Sequence, residues 1–306
     1  MNLGYQFRTV MTKFSSYLPF LRNFFLRIDN NIFIPYQLKK SGFPIKGISE
    51  IVGRKKCLDI ISEDFERETV DCIKYLCRKN TLFFDIGANF GYFSKIVGDI
   101  QTENINIHAF EASPKNFLLL QKTLSPYKNI SIYNQAVSDS YDEVEFYEMS
   151  NPLASSMYRT DDQIDGWEAS SSTKVQTIRL DKLVDELINE ADISPEIIIM
   201  KIDVEGAEPK VLEGMGKFLD DPRLVIIIEY APSCLISANY EPINLIKKLV
   251  STNKKIYSLE KNSFDLYQNQ ASGWHANLVV SEESIVKDFA IQNNLFNITL
   301  NHDEVN

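Results

Sequence analysis

The chain has 306 residues, 44% hydrophobic and 24% charged, with a formal net charge of −10, enough to bury a full core as one large domain or two small ones. The acidic balance argues against a nucleic-acid partner, and Cys57, Cys72, Cys77 and Cys234 show neither zinc spacing nor a dense disulfide framework. No run approaches the ~20 apolar residues of a membrane span, and the early stretch, broken by Arg8, Lys13, Arg22 and Arg27, does not read as a secretory signal; the expectation is a cytoplasmic protein with reduced thiols, at most peripheral to a membrane.

Residues 5–27 predict a basic amphipathic helix. Phe7, Val10, Met11, Phe14, Tyr17, Leu18, Leu21, Phe24 and Phe25 follow helical spacing, and no acid precedes Asp29. Such a face suits either an anionic bilayer or burial against protein, within the chain or between subunits of a homo-oligomer, and burial is the preferred reading. Pro35, Pro44 and Gly47 then predict irregular chain with short strand-like pieces, and a helix over about 66–77 leads into the core. These segments divide the chain into an extension (1–64), a main domain (65–281), and a C-terminal helix with a polar tail (282–306).

The main domain alternates. Residues 81–86, 106–111 and 130–137 read as β-branched or aromatic strands, separated by helices over 92–97 and 114–124. Strands at 197–202 and 224–229 continue the series around a helix at 209–219, and 255–259 with 276–280 form a closing antiparallel pair. The sum is an α/β, doubly wound, mostly parallel sheet of about seven strands, five of them parallel. Residues 138–180 interrupt it with two strands, 143–147 and 175–180, around a polar loop. An insertion of that length reads as a lid over the sheet's carboxyl edge.

Two turns carry chemistry. After the first strand, Asp85-Ile-Gly87-Ala-Asn89-Phe-Gly91-Tyr92 supplies glycines that let backbone approach a ligand. Glu111 ends the second strand, where an acid reads a ribose diol in doubly wound folds. After the fourth parallel strand, Lys201-Ile-Asp203-Val-Glu205-Gly-Ala-Glu208 sets acids where open α/β sheets bind ligands. Asp203 is the expected base or base-orienting group, with Glu205 beside it, and Lys201 shares its strand face. Glu208 is expected to serve the helix N-terminus. Glu229 and Tyr230, ending the fifth strand, and His275, beside Trp274, are expected to face the acceptor. Asp203, Glu205 and Glu229 holding a divalent cation is the less favoured alternative to metal-free chemistry.

These motifs, in this order, resemble the FkbM-type S-adenosylmethionine-dependent methyltransferases over about residues 65–280. The resemblance implies the Rossmann-like class I methyltransferase sheet and an S-adenosylmethionine site on Asp85, Gly87, Asn89, Gly91, Tyr92, Glu111, Ala112, Ser113, Ala136, Val137 and Asp203. Residues 134–139, Arg179-Leu-Asp181 and the 201–208 block extend it, with Ala112 standing where the family more often has proline. It also implies O-methylation of a sugar, glycan or related metabolite, a small-molecule or glycan acceptor being the expected partner. A nicotinamide-dependent oxidoreductase is the enzyme alternative, but it wants glycine at position 89, where Asn stands. A non-catalytic scaffold at a glycan assembly site is the other alternative, against which the intact acid and glycine set argues.

Overall fold

The computed structural model describes residues 8, 10, 11, 22–43, 45–77, 80–102, 104–149, 155–158, 169–189, 194–252, 254–259 and 275–298. The chain divides into two compact units, Met1–Arg67 and Glu68–Asn306.

The first unit is helical: α1 (Arg22–Ile28), a π-helical turn (Asp29–Phe33), α2 (Ile34–Lys40) and α3 (Ile45–Ser62). This corrects the expected irregular chain. Pro35 stands in the first turn of α2, where its missing N–H breaks no helical hydrogen bond. Ile34, Leu38, Ile48 and Cys57 are buried, and so is Asp29, ion-paired with Arg54 and, at 3.0 Å, with Arg8. Most of the predicted helix before residue 22 lies outside the described residues.

The second unit opens with α4 (Arg67–Leu76), whose Val70, Ile73 and Leu76 are buried at helical spacing. There follow β1 (Thr81–Ile86), α5 (Tyr92–Gly98), β2 (Asn106–Phe110), α6 (Pro114–Leu124) and β3 (Ile130–Tyr133). Ser113 starts α6 by accepting from the Asn116 N–H at 3.1 Å, with Pro114 in the first turn. The strand expected over 130–137 ends at Tyr133. Asn134 turns the chain by donating to the Glu111 and Ala112 carbonyls, and β4 (Ala136–Val137) joins a different sheet.

That second sheet has the order β4–β6–β5, with β5 (Glu143–Met149) and β6 (Ala169–Ile178) an antiparallel pair. It is the described part of the insertion; residues 150–154 and 159–168 lie outside the description. Leu180, expected at a strand end, instead opens α7 (Leu180–Asn189). The series resumes with β7 (Ile197–Ile202), α8 (Glu208–Gly214), a 3-10 turn (Gly216–Asp220), β8 (Leu224–Tyr230), α9 (Pro232–Ser237) and α10 (Pro242–Val250). Then come β9 (Lys255–Ser258), β10 (Ala276–Ser281), α11 (Glu283–Asn293) and β11 (Phe296–Asn297).

The main sheet runs β11–β9–β10–β8–β7–β1–β2–β3. Five strands are parallel and the last three in sequence are antiparallel, so the seven expected strands are present, with the two-residue β11 added at the edge. The chain winds from β1 toward β3, then returns to the other side of β1 with β7. The crevice between β1 and β7 is therefore the topological switch point, where such sheets bind ligands. β1 and β7 are buried along their whole length, as strands covered on both faces must be. Truncating Ile199 to Ala at the centre of β7 would cost about 2–5 kcal/mol.

The alternation of side chains sorts the sheet into two faces. Phe84, Met200, Ile228, Tyr230 and Leu278 share one large apolar cluster. Their neighbours in sequence point the other way, and at the carboxyl edge those neighbours are polar.

Candidate active site

The turn after β1 is held by its own backbone. Gly87, Asn89 and Gly91 all have positive φ (82°, 51° and 86°), a region that glycine enters without strain and Asn enters more readily than most residues. A Cβ on Gly87 would lie 1.9 Å from the backbone oxygen of Asp203. One on Gly91 would lie 2.9 Å from Leu120 of α6. At both glycines neighbouring protein already fills the space that a Cβ would need. Asp85, buried at the end of β1, accepts from the Ser94 N–H at 3.0 Å and the Ser94 hydroxyl at 2.6 Å. Burial pushes its carboxyl up to about 6, against the pull of Ser94 and Lys201.

Glu111, one residue past β2, clamps this turn. One carboxylate oxygen accepts from the Asn89 N–H at 2.8 Å and the other from the Ser113 N–H at 2.7 Å. Burial pushes the carboxyl up to about 7 even so. A carboxylate has about four lone-pair sites, so two remain for hydroxyl donors such as a ribose diol. The side-chain oxygen of Asn89 is buried in the same turn with no hydrogen-bond partner, an acceptor set beside that carboxylate. These atoms fit a nucleoside ligand. Tyr92 is buried at the start of α5, edge-on to Phe93. Ser113 is committed to capping α6, and its hydroxyl meets Glu148 of β5. Ala112 packs with Ala136, while Val137 belongs to the main core.

The turn after β7 is built differently. Lys201 is 1% exposed, faces Asp85 across β1, and places its Nζ 3.2 Å from Asp203 Oδ2 and 5.3 Å from the Phe93 ring centroid. Burial works to raise the Asp203 carboxyl, but the Lys201 ammonium and a hydrogen bond from Glu229 hold it below the usual carboxylate range. Glu229 stands opposite Asn277 of β10, and His275 Nε2 lies 3.9 Å from Glu229 Oε1 at the solvent side. Asp85, Lys201, Asp203, Glu229 and Asn277 thus form one polar row across four strands, on the face opposite the apolar cluster.

Glu205 is left-handed, at φ 51°. Its carboxylate accepts from the Cys234 thiol at 3.1 Å, and its carbonyl accepts from the Ser156 hydroxyl of the insertion at 2.7 Å. Burial and Glu205 together push the Cys234 thiol up, so it stays protonated. Glu208 turns back to accept from the Gly206 N–H at 3.0 Å and the Val204 N–H at 3.3 Å, which is the helix-terminus role expected of it. Carboxylate oxygens of Asp203, Glu205 and Glu229 all lie within 4.8 Å of one another, a donor set that suits a hard divalent cation.

Of the expected acceptor-side residues, Asp203, Glu205, Glu229, Lys201 and His275 come together. Tyr230 does not: it is fully buried in the apolar cluster on the opposite face. Successive residues of a strand point to opposite faces, so Glu229 and Tyr230 could not both line one site. Trp274 lies outside the described residues. Sequence reasoning misses Ser94, Ser156, Cys234 and Asn277. Asn277 is within reach of the alternation rule, two residues past His275; the other three are brought in by tertiary packing.

The methyltransferase FkbM domain matches residues 85–234 of this sequence. Among curated proteins, none matches. The fold is similar to a methyltransferase FkbM from Methylobacillus flagellatus, with 12% identity and a TM-score of 0.40 over 83% of this chain and 60% of that one. It is also similar to a precorrin-6y C5,15-methyltransferase from Geobacter metallireducens, with 12% identity and a TM-score of 0.35 over 71% and 89%. Aeropyrum pernix fibrillarin, solved with S-adenosyl-L-methionine, gives 13% identity and a TM-score of 0.37 over 66% and 67%. All three are loose overlaps.

Proposed function

From the premise that residues 85–234 belong to the FkbM methyltransferase family, we propose that this chain moves a methyl group from S-adenosylmethionine to a hydroxyl oxygen of a sugar, glycan or related metabolite. One observation carries the reading: the Lys201–Asp203–Glu229 row stands at the carboxyl edge directly beside the turn that Glu111 clamps. S-adenosylmethionine, when bound, supplies a methyl carbon already activated by a sulfonium charge. Glu111 offers its two remaining lone pairs to the ribose hydroxyls, and the Asn89 oxygen offers a further acceptor.

The acceptor side has to fix an oxygen in line and receive its proton. Alignment of this kind supplies several kcal/mol of a displacement barrier. Asp203, kept ionised by Lys201, accepts the hydrogen bond of the incoming hydroxyl and aims its lone pair. Its low proton affinity makes it an orienting acceptor more than a strong base. The proton that leaves the hydroxyl as its oxygen takes the methyl group passes to Asp203 late in the transfer and from there to solvent, on the side where His275 is 56% exposed. Glu205 and Glu229 supply further acceptors for a polyhydroxylated molecule.

Calorimetry tests the donor side. S-adenosylmethionine and its demethylated product should bind, and NAD should not; tight NAD binding with no response to S-adenosylmethionine would sink the reading. Comparing surface glycans by mass spectrometry with and without the gene tests the acceptor side, with loss of a methyl group as the expected result. The three clustered carboxylates favour one second reading, metal-assisted transfer. Activity abolished by chelation and restored by magnesium would move the mechanism to it.

A further inference from the structure

The charge of this chain is unevenly placed. Residues 1–67 contain eleven Lys and Arg against six Asp and Glu, a net of +5, whereas the remainder nets −15. Within α1, the π-helical turn and α2 the only acid is Asp29, and it is withdrawn from the surface. It is buried against Arg8 and Arg54. The exposed side of the same helical run carries Arg27, Lys39 and Lys40, and no acid.

Three large apolar side chains share that exposed side. Phe24, Ile32 and Tyr36 are 59%, 58% and 62% exposed, while Ile34, Gln37 and Leu38 face inward. Eight residues of ideal α-helix make about 2.2 turns, which would swing Ile32 well away from Phe24. The wider π turn between them takes more residues per revolution and brings the two back toward one line, with Tyr36 one turn further on. Aromatic and aliphatic side chains interleaved with bases, with the acid removed, are what an anionic bilayer surface recognises. What sets this stripe apart from an exposed apolar residue such as Ile291 is its company of bases with no exposed acid.

We infer that the Met1–Arg67 unit docks the protein on the surface of an anionic membrane, with Phe24, Ile32 and Tyr36 entering the headgroup boundary and Arg27, Lys39 and Lys40 facing lipid phosphates. No helix of the described residues is long and apolar enough to cross a membrane, so the contact is peripheral. The inference is independent of the methyl-transfer reading.

Sedimentation of the full chain with vesicles tests it. Binding should be strong to phosphatidylglycerol mixed with phosphatidylcholine, absent with phosphatidylcholine alone, and weakened by salt. The K39E,K40E double substitution should lower affinity by at least about fivefold for each charge removed. The exposed positions allow F24S,Y36S to fold, which its melting curve checks, and that variant should also release the protein from vesicles. Binding that ignores lipid charge would overturn the inference. So would binding of RNA without binding of vesicles. It would fall equally if F24S,Y36S left vesicle binding intact and instead dissociated an oligomer in sedimentation velocity, because the stripe would then be a subunit interface.

Discussion

The two turns that face each other across the β1–β7 crevice use acids in opposite ways. After β1, both carboxylates are tied to fixed partners: Asp85 to Ser94, and Glu111 to the amides of Asn89 and Ser113. After β7, Glu208 repeats that device, but Asp203, Glu205 and Glu229 are met by other side chains: an ammonium, a thiol and another carboxyl. Backbone amides cannot exchange their role, so the carboxylates of the first turn are fixed in place. Side chains can pass protons and re-pair, so the acids of the second turn can change partners. That difference in partner, more than the acid itself, is what fits the proposed division between binding and reaction.

Breaking the wall between the turns should have the largest effect. Gly87→Ala places a methyl group against a backbone oxygen that has no freedom to yield, at a φ that disfavours Cβ. We expect a loss of at least about 2 kcal/mol, read as a fall in melting temperature or as insoluble protein. Gly91→Ala carries the same positive-φ cost but meets leucine side chains, which can shift, and should lose less. Equal melting curves for the two would contradict the close approach at Gly87.

On the reactive side, Asp203→Asn keeps size and removes charge. Turnover should drop by about two orders of magnitude, while calorimetry shows little change in donor affinity. If donor binding collapses instead, the division between the turns is wrong. At the first turn, Glu111→Gln should weaken the donor by roughly 1–3 kcal/mol and also lower the melting temperature, because the amide nitrogen cannot accept from one of the two N–H groups that Glu111 holds.

The smallest effect is a pH dependence of stability. Burial raises Asp85, Glu111 and Glu208 to about 6, 7 and 7. Between about pH 4.5 and 7 the folded chain then holds protons that the unfolded chain has released, so stability falls as pH rises through that window. The ligand-free protein should melt a few degrees higher near pH 5 than near pH 8. Asp203, held below the ordinary range, contributes the other way and only under about pH 4. A melting temperature that rises steadily from pH 5 to 8 would show these acids to be ionised throughout.

Much of this is legible in the sequence because the relevant signals are local. β1 and β7 stand where their uninterrupted apolar runs place them, and period two alone pairs Lys201 with Asp203. Where sequence reading fails, a non-local fact decides. Pro35 looks like a breaker, but the chain starts a new α-helical segment at Ile34 after the π turn, and Pro35 falls in its first turn. The run 130–137 looks like one strand, but Asn134 spends its amide on β2's end and sends Ala136 to a second sheet. The glycines are legible as a turn, but no sequence rule says that Asp203 will lie behind Gly87.

That contact has a bearing on how such a chain diversifies. With the Asp203 backbone pressed into the space that a Cβ would need, and its N–H bonded to the Ile86 carbonyl at 3.0 Å, the spacing between the β1 and β7 turns is set by main chain. Side chains of the insertion between β5 and β6, which touches the second turn through Ser156, can therefore change without altering the spacing of the two turns.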